Sequence, residues 1–278
     1  MKRVLLTGSG GFVGARVMAQ LAGRLELIPA PRGLMARATE SDIARLVAET
    51  RPDAILHTAA LSDTGYCEAH KEESYRANVQ LPLWLAKAAA GQGSKLVAFS
   101  SDQVYAGVEL HGPLSEELPL TPANVYGRHK LEMKQRVLDA LPDAVLLRAT
   151  WLYDLPGYGL PIRGNLPLNL LHAALHGQSL TFSPGDYRGV TYVRQAVENL
   201  LPALELSGGV YNFGSENDLD MLETAWRFCA ALQVAPELVP GDRARNLSMN
   251  TARARKGGVV FDDTADGIRR CLRDYGLR

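Results

Sequence analysis

The chain has 278 residues with 30 basic and 30 acidic side chains, a formal charge of zero. That balance gives no general attraction for nucleic acid or an anionic membrane surface, and the length allows one large domain or a core with a smaller lobe. The three cysteines, Cys67, Cys229 and Cys271, form no Cys-x-x-Cys pair and no cluster with histidine, so no metal is expected and a reducing, cytoplasmic setting is.

The apolar run after Met1 is too short for a signal-peptide core, and no stretch approaches bilayer length. Short apolar runs predict strands over Arg3–Thr7, Leu25–Ala30, Ala54–His57, Lys95–Ser100 and Ala144–Arg148. Between them Gly11–Leu21, Ser41–Thr50, Glu72–Ala90 and Val125–Leu141 carry apolar residues at helical spacing. Strands alternating with helices predict an α/β fold of Rossmann type, a doubly wound parallel sheet, over residues 1–150. Residues 151–278 are expected to form a small α/β substrate lobe, with some chain crossing back to the core. Its elements are a mobile Pro- and Gly-rich loop between Leu152 and Pro167, helices near Leu168–His176, Val193–Leu204 and Met221–Leu232, and strands near Ser179–Phe182 and Gly209–Phe213.

The first strand runs into Gly8-Ser9-Gly10-Gly11-Phe12-Val13-Gly14 and then a helix. Free backbone N–H groups at such a helix start stabilise a dinucleotide pyrophosphate, and Gly8, Gly11 and Gly14 keep side chains out of their way. An ordinary glycine turn is the bland alternative; strand, turn and helix in the required order favour the dinucleotide. After the second strand the chain reads Pro29-Ala30-Pro31-Arg32, with a cation where NAD binders carry a ribose-binding carboxylate. Arg32 therefore favours the 2′-phosphate of NADPH over NADH, a plain solvated arginine being the other reading.

Tyr126 and Lys130 are four residues apart at a helix start and share a face. A nearby ammonium lowers a tyrosine pKa and makes the phenol a better proton donor, and the same lysine can hold the nicotinamide ribose. Such a pair recurs by chance and gains weight from its company. The fourth strand ends in Ser100-Ser101-Asp102-Gln103, where ligands of parallel sheets bind, and Ser101 can hydrogen-bond a substrate carbonyl. His57 is expected to be packed or beside a cofactor rather than a base. Arg188 and Arg194 either neutralise a nucleotide diphosphate or form a solvated face, and Arg243, Arg245, Arg253 and Arg255 form a basic run of surface type. Trp226 and Phe228 are expected in the core.

Taken together, the glycine turn, His57-Thr58-Ala59-Ala60, Asn78-Val79, Ser100 to Tyr105, Asn124 to Lys130 and Arg148 to Tyr153 resemble the extended short-chain dehydrogenase/reductases, and within them the dTDP-4-dehydrorhamnose reductases. The resemblance covers nearly the whole chain. It implies Tyr126 as general acid, Lys130 on the cofactor ribose and Ser101 as the hydroxyl polarising a ketone. With Ala59 and Ala60, which the resemblance places beside the cofactor, the expected cofactor site is Gly8, Gly10, Gly11, Phe12, Val13, Gly14, Arg32, Ala59, Ala60, Asn78, Ser100, Tyr126 and Lys130. The substrate would meet Ser101, Asp102, Gln103, Trp151 and Arg188. The partner implied is a nucleotide sugar, with neither nucleic acid nor membrane, and a homodimer is allowed.

This chain departs from the family at Ser101, where threonine is frequent, and at Gln103, where an aromatic residue is usual. No acidic residue stands in Ala36-Arg37-Ala38-Thr39, and Arg188-Gly189-Val190-Thr191-Tyr192 replaces a Gly-x-Pro-Thr segment. Related dehydratases place Asp-Glu after the catalytic hydroxyl; glutamine at 103 cannot serve as that acid or base, so ketone reduction is favoured. A sugar-nucleotide epimerase stays open. So does a non-catalytic NADP-binding subunit, because the chain is also similar to the regulatory β subunit of methionine adenosyltransferase.

Overall fold

The computed structural model describes residues 1–31 and 33–277, with only the backbone at 34 and 35. Six strands form one parallel sheet: β1 (Arg3–Thr7), β2 (Glu26–Pro29), β3 (Ala54–His57), β4 (Lys95–Ser101), β5 (Val145–Ala149) and β6 (Gly209–Phe213), in the spatial order β6-β5-β4-β3-β1-β2. Its principal helices are α1 (Phe12–Leu21), α2 (Glu40–Thr50), α3 (Leu81–Gln92), α4 (Val125–Ala140), α5 (Leu166–His176), α6 (Val193–Glu198), α7 (Met221–Leu232) and α8 (Thr264–Asp274).

Period-two alternation along the strands divides the core into two layers. Val4, Leu6, Leu56, Val97 and Leu147 bury against Val17 and Leu21 of α1 and Val193 and Val197 of α6. Leu5, Ile55, Leu96 and Leu146 bury on the opposite face against α2, α3 and α4 through Ile43, Val47, Leu85, Met133 and Val137. The chain leaves β1 for β2 on one side and returns to β3 on the other, so strand order reverses between β1 and β3. That switch point, at the carboxyl ends of the strands, is where doubly wound sheets form the crevice that takes ligands.

The strand at 209–213, expected in the second half's lobe, is the sheet's sixth strand, and α6 packs on α1. The rest of the second half has its own core, in which Tyr153, Leu166, Leu170, Tyr192, Phe228, Ile268 and Leu272 meet. Phe228 is fully buried, but Trp226 is 54% exposed, because two residues of helix carry it away from that face. The helix expected over Glu72–Ala90 is three pieces: Lys71–Tyr75, a π-helical turn at Arg76–Gln80, and α3. Pro82 in the first turn of α3 has no N–H to give, and the backbone widens by one residue before it.

The loop expected to be mobile is held at several points. Asp154 accepts from Arg16 at 2.5 Å and from the Tyr275 hydroxyl at 2.9 Å, and Tyr158 donates to the carbonyl of Asp274 at 2.8 Å. Arg16 also donates to the carbonyls of Phe12 and Pro161, which ties the loop to α1 directly behind the glycine turn.

Candidate active site

Gly8 has φ +74°, and a Cβ there would come within 2.8 Å of both the Ala59 amide nitrogen and the Thr58 hydroxyl. At Gly14 a Cβ would overlap the Gly8 carbonyl, so α1 can approach the turn only with glycine at that position. The N–H of Gly11 closes the turn onto Gly8 O at 2.8 Å, and Gly11 caps α1 without a side chain. Gly10 and Gly11 are exposed, Val13 and Ala59 half-buried, Ala60 exposed. The first turn of α1 carries no acidic side chain, so its N–H groups face the crevice beside Ala59 with no anion of the protein's own. Arg32 lies outside the described residues.

Asn78, in the π-helical turn, is buried and donates to the carbonyl of Leu61 at 2.8 Å, fixing the segment that follows Ala59 and Ala60. Its Oδ1 is buried without a partner among the described residues. His57 is also buried; its Nδ1 pairs with the Thr7 hydroxyl at 2.7 Å and its Nε2 has no partner there. Burial, with help from the Lys130 charge, pushes its pKa down to about 3, so it is a neutral packed imidazole.

Ser100 and Ser101 close β4 and are buried. Ser101 Oγ donates to Asp102 at 3.2 Å and accepts from the Gln103 N–H at 3.2 Å. A Cβ on Gly127 would overlap the Gln103 carbonyl, so glycine lets the first turn of α4 come against the turn after β4. Asn124 caps α4 through Gly127 N–H at 2.7 Å and donates to Gln103 Oε1 at 3.1 Å. Gln103 thereby holds the helix that carries Tyr126.

Tyr126 and Lys130 are both buried. Lys130 Nζ lies 5.8 Å from the Tyr126 ring centroid and donates to the carbonyl of Phe99 at 2.9 Å. Burial pushes its pKa down to about 8. The expected lowering of the Tyr126 pKa is not found. Burial raises it well above the ordinary range and the Asp102 charge adds to this, while the Ser101 hydroxyl and the Arg163 guanidinium pull it back. Spacing correctly makes Lys130 a neighbour, but desolvation of the phenolate outweighs an ammonium bonded toward Phe99.

Arg188 reaches Asp102 at 2.6 Å and lies over the half-buried ring of Trp151, 5.3 Å from its centroid. Its charge is therefore matched by a carboxylate, as is that of Arg194 by Glu198 and Asp274. In the basic run Arg245 pairs with Asp186, Arg253 with Glu117 and Arg255 with Glu216. Arg243 has no carboxylate partner among the described residues, and the Arg245 charge beside it is the chief reason its pKa is lowered. Sequence reasoning missed Arg163, which comes from the loop before α5 to Ser62 Oγ at 2.9 Å. No local motif marks it.

A family model described as the RmlD substrate binding domain matches residues 1–258. A protein from Mycolicibacterium smegmatis described as dTDP-4-dehydrorhamnose reductase is 33% identical over 153 residues, 55% of this chain and 46% of that one. A Sinorhizobium fredii protein of the same description is 32% identical over 152 residues, 55% and 51% of the two chains. The chain thus aligns with about half the length of these relatives. A Burkholderia thailandensis protein, also so described, is 24% identical over 98% of both chains. Among solved structures, the dTDP-4-dehydrorhamnose reductase of Bacillus anthracis in complex with NADP matches 99% of both chains at 21% identity and a TM-score of 0.87, a likeness of fold. Matched over almost its whole length, the chain belongs to the RmlD substrate binding domain family.

Proposed function

We propose that this protein is an NAD(P)H-dependent reductase of a keto group on a nucleotide-linked sugar, the 4-keto sugar of dTDP-4-dehydrorhamnose being the first candidate. The observation that carries the reading is the convergence of Ser101, Tyr126 and Lys130 at the carboxyl end of β4, next to a crevice whose glycines leave room for a dinucleotide. The fit is physical: glycine at 8 and 14 lets α1 and the segment at Ala59 close tightly on the turn, and the first turn of α1 carries no acidic side chain to compete for its N–H groups. Gly8 to Gly14 and Ala59 would hold the dinucleotide's diphosphate, and Lys130 its nicotinamide ribose.

Bound there, the reduced nicotinamide supplies a hydride. Ser101 turns its hydroxyl from Asp102 to the ketone oxygen and orients it. Tyr126, kept protonated by its burial, donates the phenolic proton to that oxygen as charge develops. The Lys130 ammonium stabilises the resulting phenolate, a role that requires it charged. Reduction is favoured over dehydration because the two side chains that follow Ser101 are already engaged: Asp102 is held by Arg188, and Gln103, which is no acid or base, by Asn124. Arg243, beside Arg245 and Arg188 and without a carboxylate ion pair among the described residues, suits the nucleotide's diphosphate. The three buried free thiols fit the cytoplasm.

The test is oxidation of NADPH and NADH with a panel of dTDP- and UDP-linked 4-keto sugars, beside Tyr126→Phe. Turnover falling about 10²–10⁴-fold in the variant supports the reading. Equal turnover in both proteins, or none in either, refutes it.

A further inference from the structure

Phe12 opens α1 at the glycine turn, and two guanidinium groups lie over its ring. Arg16 lies 4.2 Å from the ring centroid and Arg163 5.1 Å. They differ in what balances their charge. Arg16 is buried and paired with Asp154. Arg163 keeps part of its side chain at the surface, has no carboxylate partner among the described residues, and makes one side-chain hydrogen bond, from Nη1 to Ser62. A guanidinium has five N–H donors, so most of its capacity is unused. Desolvation by the protein packed along its stem, with the nearby Arg16 charge adding to it, pushes its pKa down.

Its position is equally particular. Phe12 belongs to one wall of the crevice and Ser62, two residues past Ala60, to the other. Arg163 bridges them at the mouth. A diphosphate seated on the N–H groups of α1, which begins at Phe12, would lie close to that side chain. The glycine turn contributes no charge of its own, so its backbone dipoles leave most of a dianion's charge unmatched.

Resting on the reading of the crevice as a dinucleotide site, we propose that Arg163 is the diphosphate-binding cation of that site, reaching from the loop before α5 and held in place by the Phe12 ring and Ser62. A planar fork on a ring gives bidentate contact with phosphate oxygens, which lysine cannot reproduce.

The test compares wild type, Arg163→Gln and Arg163→Lys by fluorescence titration with NADPH, and by calorimetry with 2′-AMP, which has no diphosphate, and with dTDP, which stands in for the nucleotide sugar. The Gln variant should bind NADPH about 10- to 100-fold more weakly, with the Lys variant between it and wild type and 2′-AMP binding unchanged in both. NADPH binding within about twofold of wild type in the Gln variant overturns the proposal. So does an equal loss of 2′-AMP, which would mark a structural defect, or a loss confined to dTDP, which would assign Arg163 to the substrate's diphosphate. Wild-type protein that binds neither NADPH nor NADH overturns the reading of the crevice, and this proposal with it.

Discussion

Replacing Lys130 with methionine should stabilise the ligand-free protein while removing its activity. Lys130 is buried, and its pKa stands at about 8 instead of the ordinary 10.5. Each pH unit separating the two values is worth about 1.4 kcal/mol, so at pH 7 the buried ammonium costs about 3 kcal/mol. Methionine removes that cost and also the hydrogen bond from Nζ to the Phe99 carbonyl, worth about 1 kcal/mol. The net gain at pH 7 is about 2 kcal/mol. Its sign follows from the lowered folded-state value: the penalty is complete below about pH 8 and fades as pH rises toward the unfolded value. At pH 9.5 the penalty has dropped to about 1 kcal/mol, and the lost hydrogen bond cancels it. Denaturant unfolding of both proteins at the two pH values measures the difference. A methionine variant less stable than wild type at pH 7, or a gap unchanged at pH 9.5, would refute the assignment of Lys130 as a desolvated cation.

Because Tyr126 stays protonated across this range, the alkaline limb of kcat/KM for NADPH should fall as pH rises through about 8, where Lys130 loses its charge; a flat profile to pH 9.5 contradicts this. Arg16→Met strands Asp154 in the core and should cost about 3–5 kcal/mol in urea unfolding, with much of it recovered by adding Asp154→Leu. Arg188→Leu similarly leaves Asp102 beside Ser101 and Tyr126 without its cation. A loss of about 3–5 kcal/mol is expected, with turnover reduced more than NADPH affinity. Gly14→Ala should destabilise the fold by about 1–3 kcal/mol and abolish NADPH binding detectable by fluorescence, since its Cβ meets the Gly8 carbonyl.

Features encoded by local periodicity were legible in the sequence. The strands at Arg3–Thr7, Ala54–His57, Ser179–Phe182 and Gly209–Phe213 and the helix at Met221–Leu232 have the bounds that their residue patterns predict. The glycine turn was legible for the same reason, because its requirement is steric and contiguous. Features that depend on residues far apart in sequence were not. Arg188 meets Asp102 across 86 positions, so a cation whose sequence context allows either a diphosphate ligand or a solvated face pairs with a carboxylate. Arg163 reaches Ser62 across 101 positions. Gln103 has no local signal for its hold on Asn124. The Tyr126 pKa departs from its sequence-based expectation for another reason: spacing names a neighbour, whereas the sign of the shift depends on how deeply the phenol is buried. Trp226 shows the limit of periodicity itself, since an apolar residue off the buried stripe of α7 remains in water.

The most direct test of the proposed chemistry follows a label. NADPH carrying deuterium at the transferable C4 position, incubated with the protein and a dTDP-linked 4-keto sugar, should yield one equivalent of NADP⁺ and a product with one deuterium on the former carbonyl carbon. Tyr126→Phe should form almost none. Unlabelled product, or a rearranged sugar formed without net consumption of NADPH, would contradict assignment of Ser101, Tyr126 and Lys130 to ketone reduction.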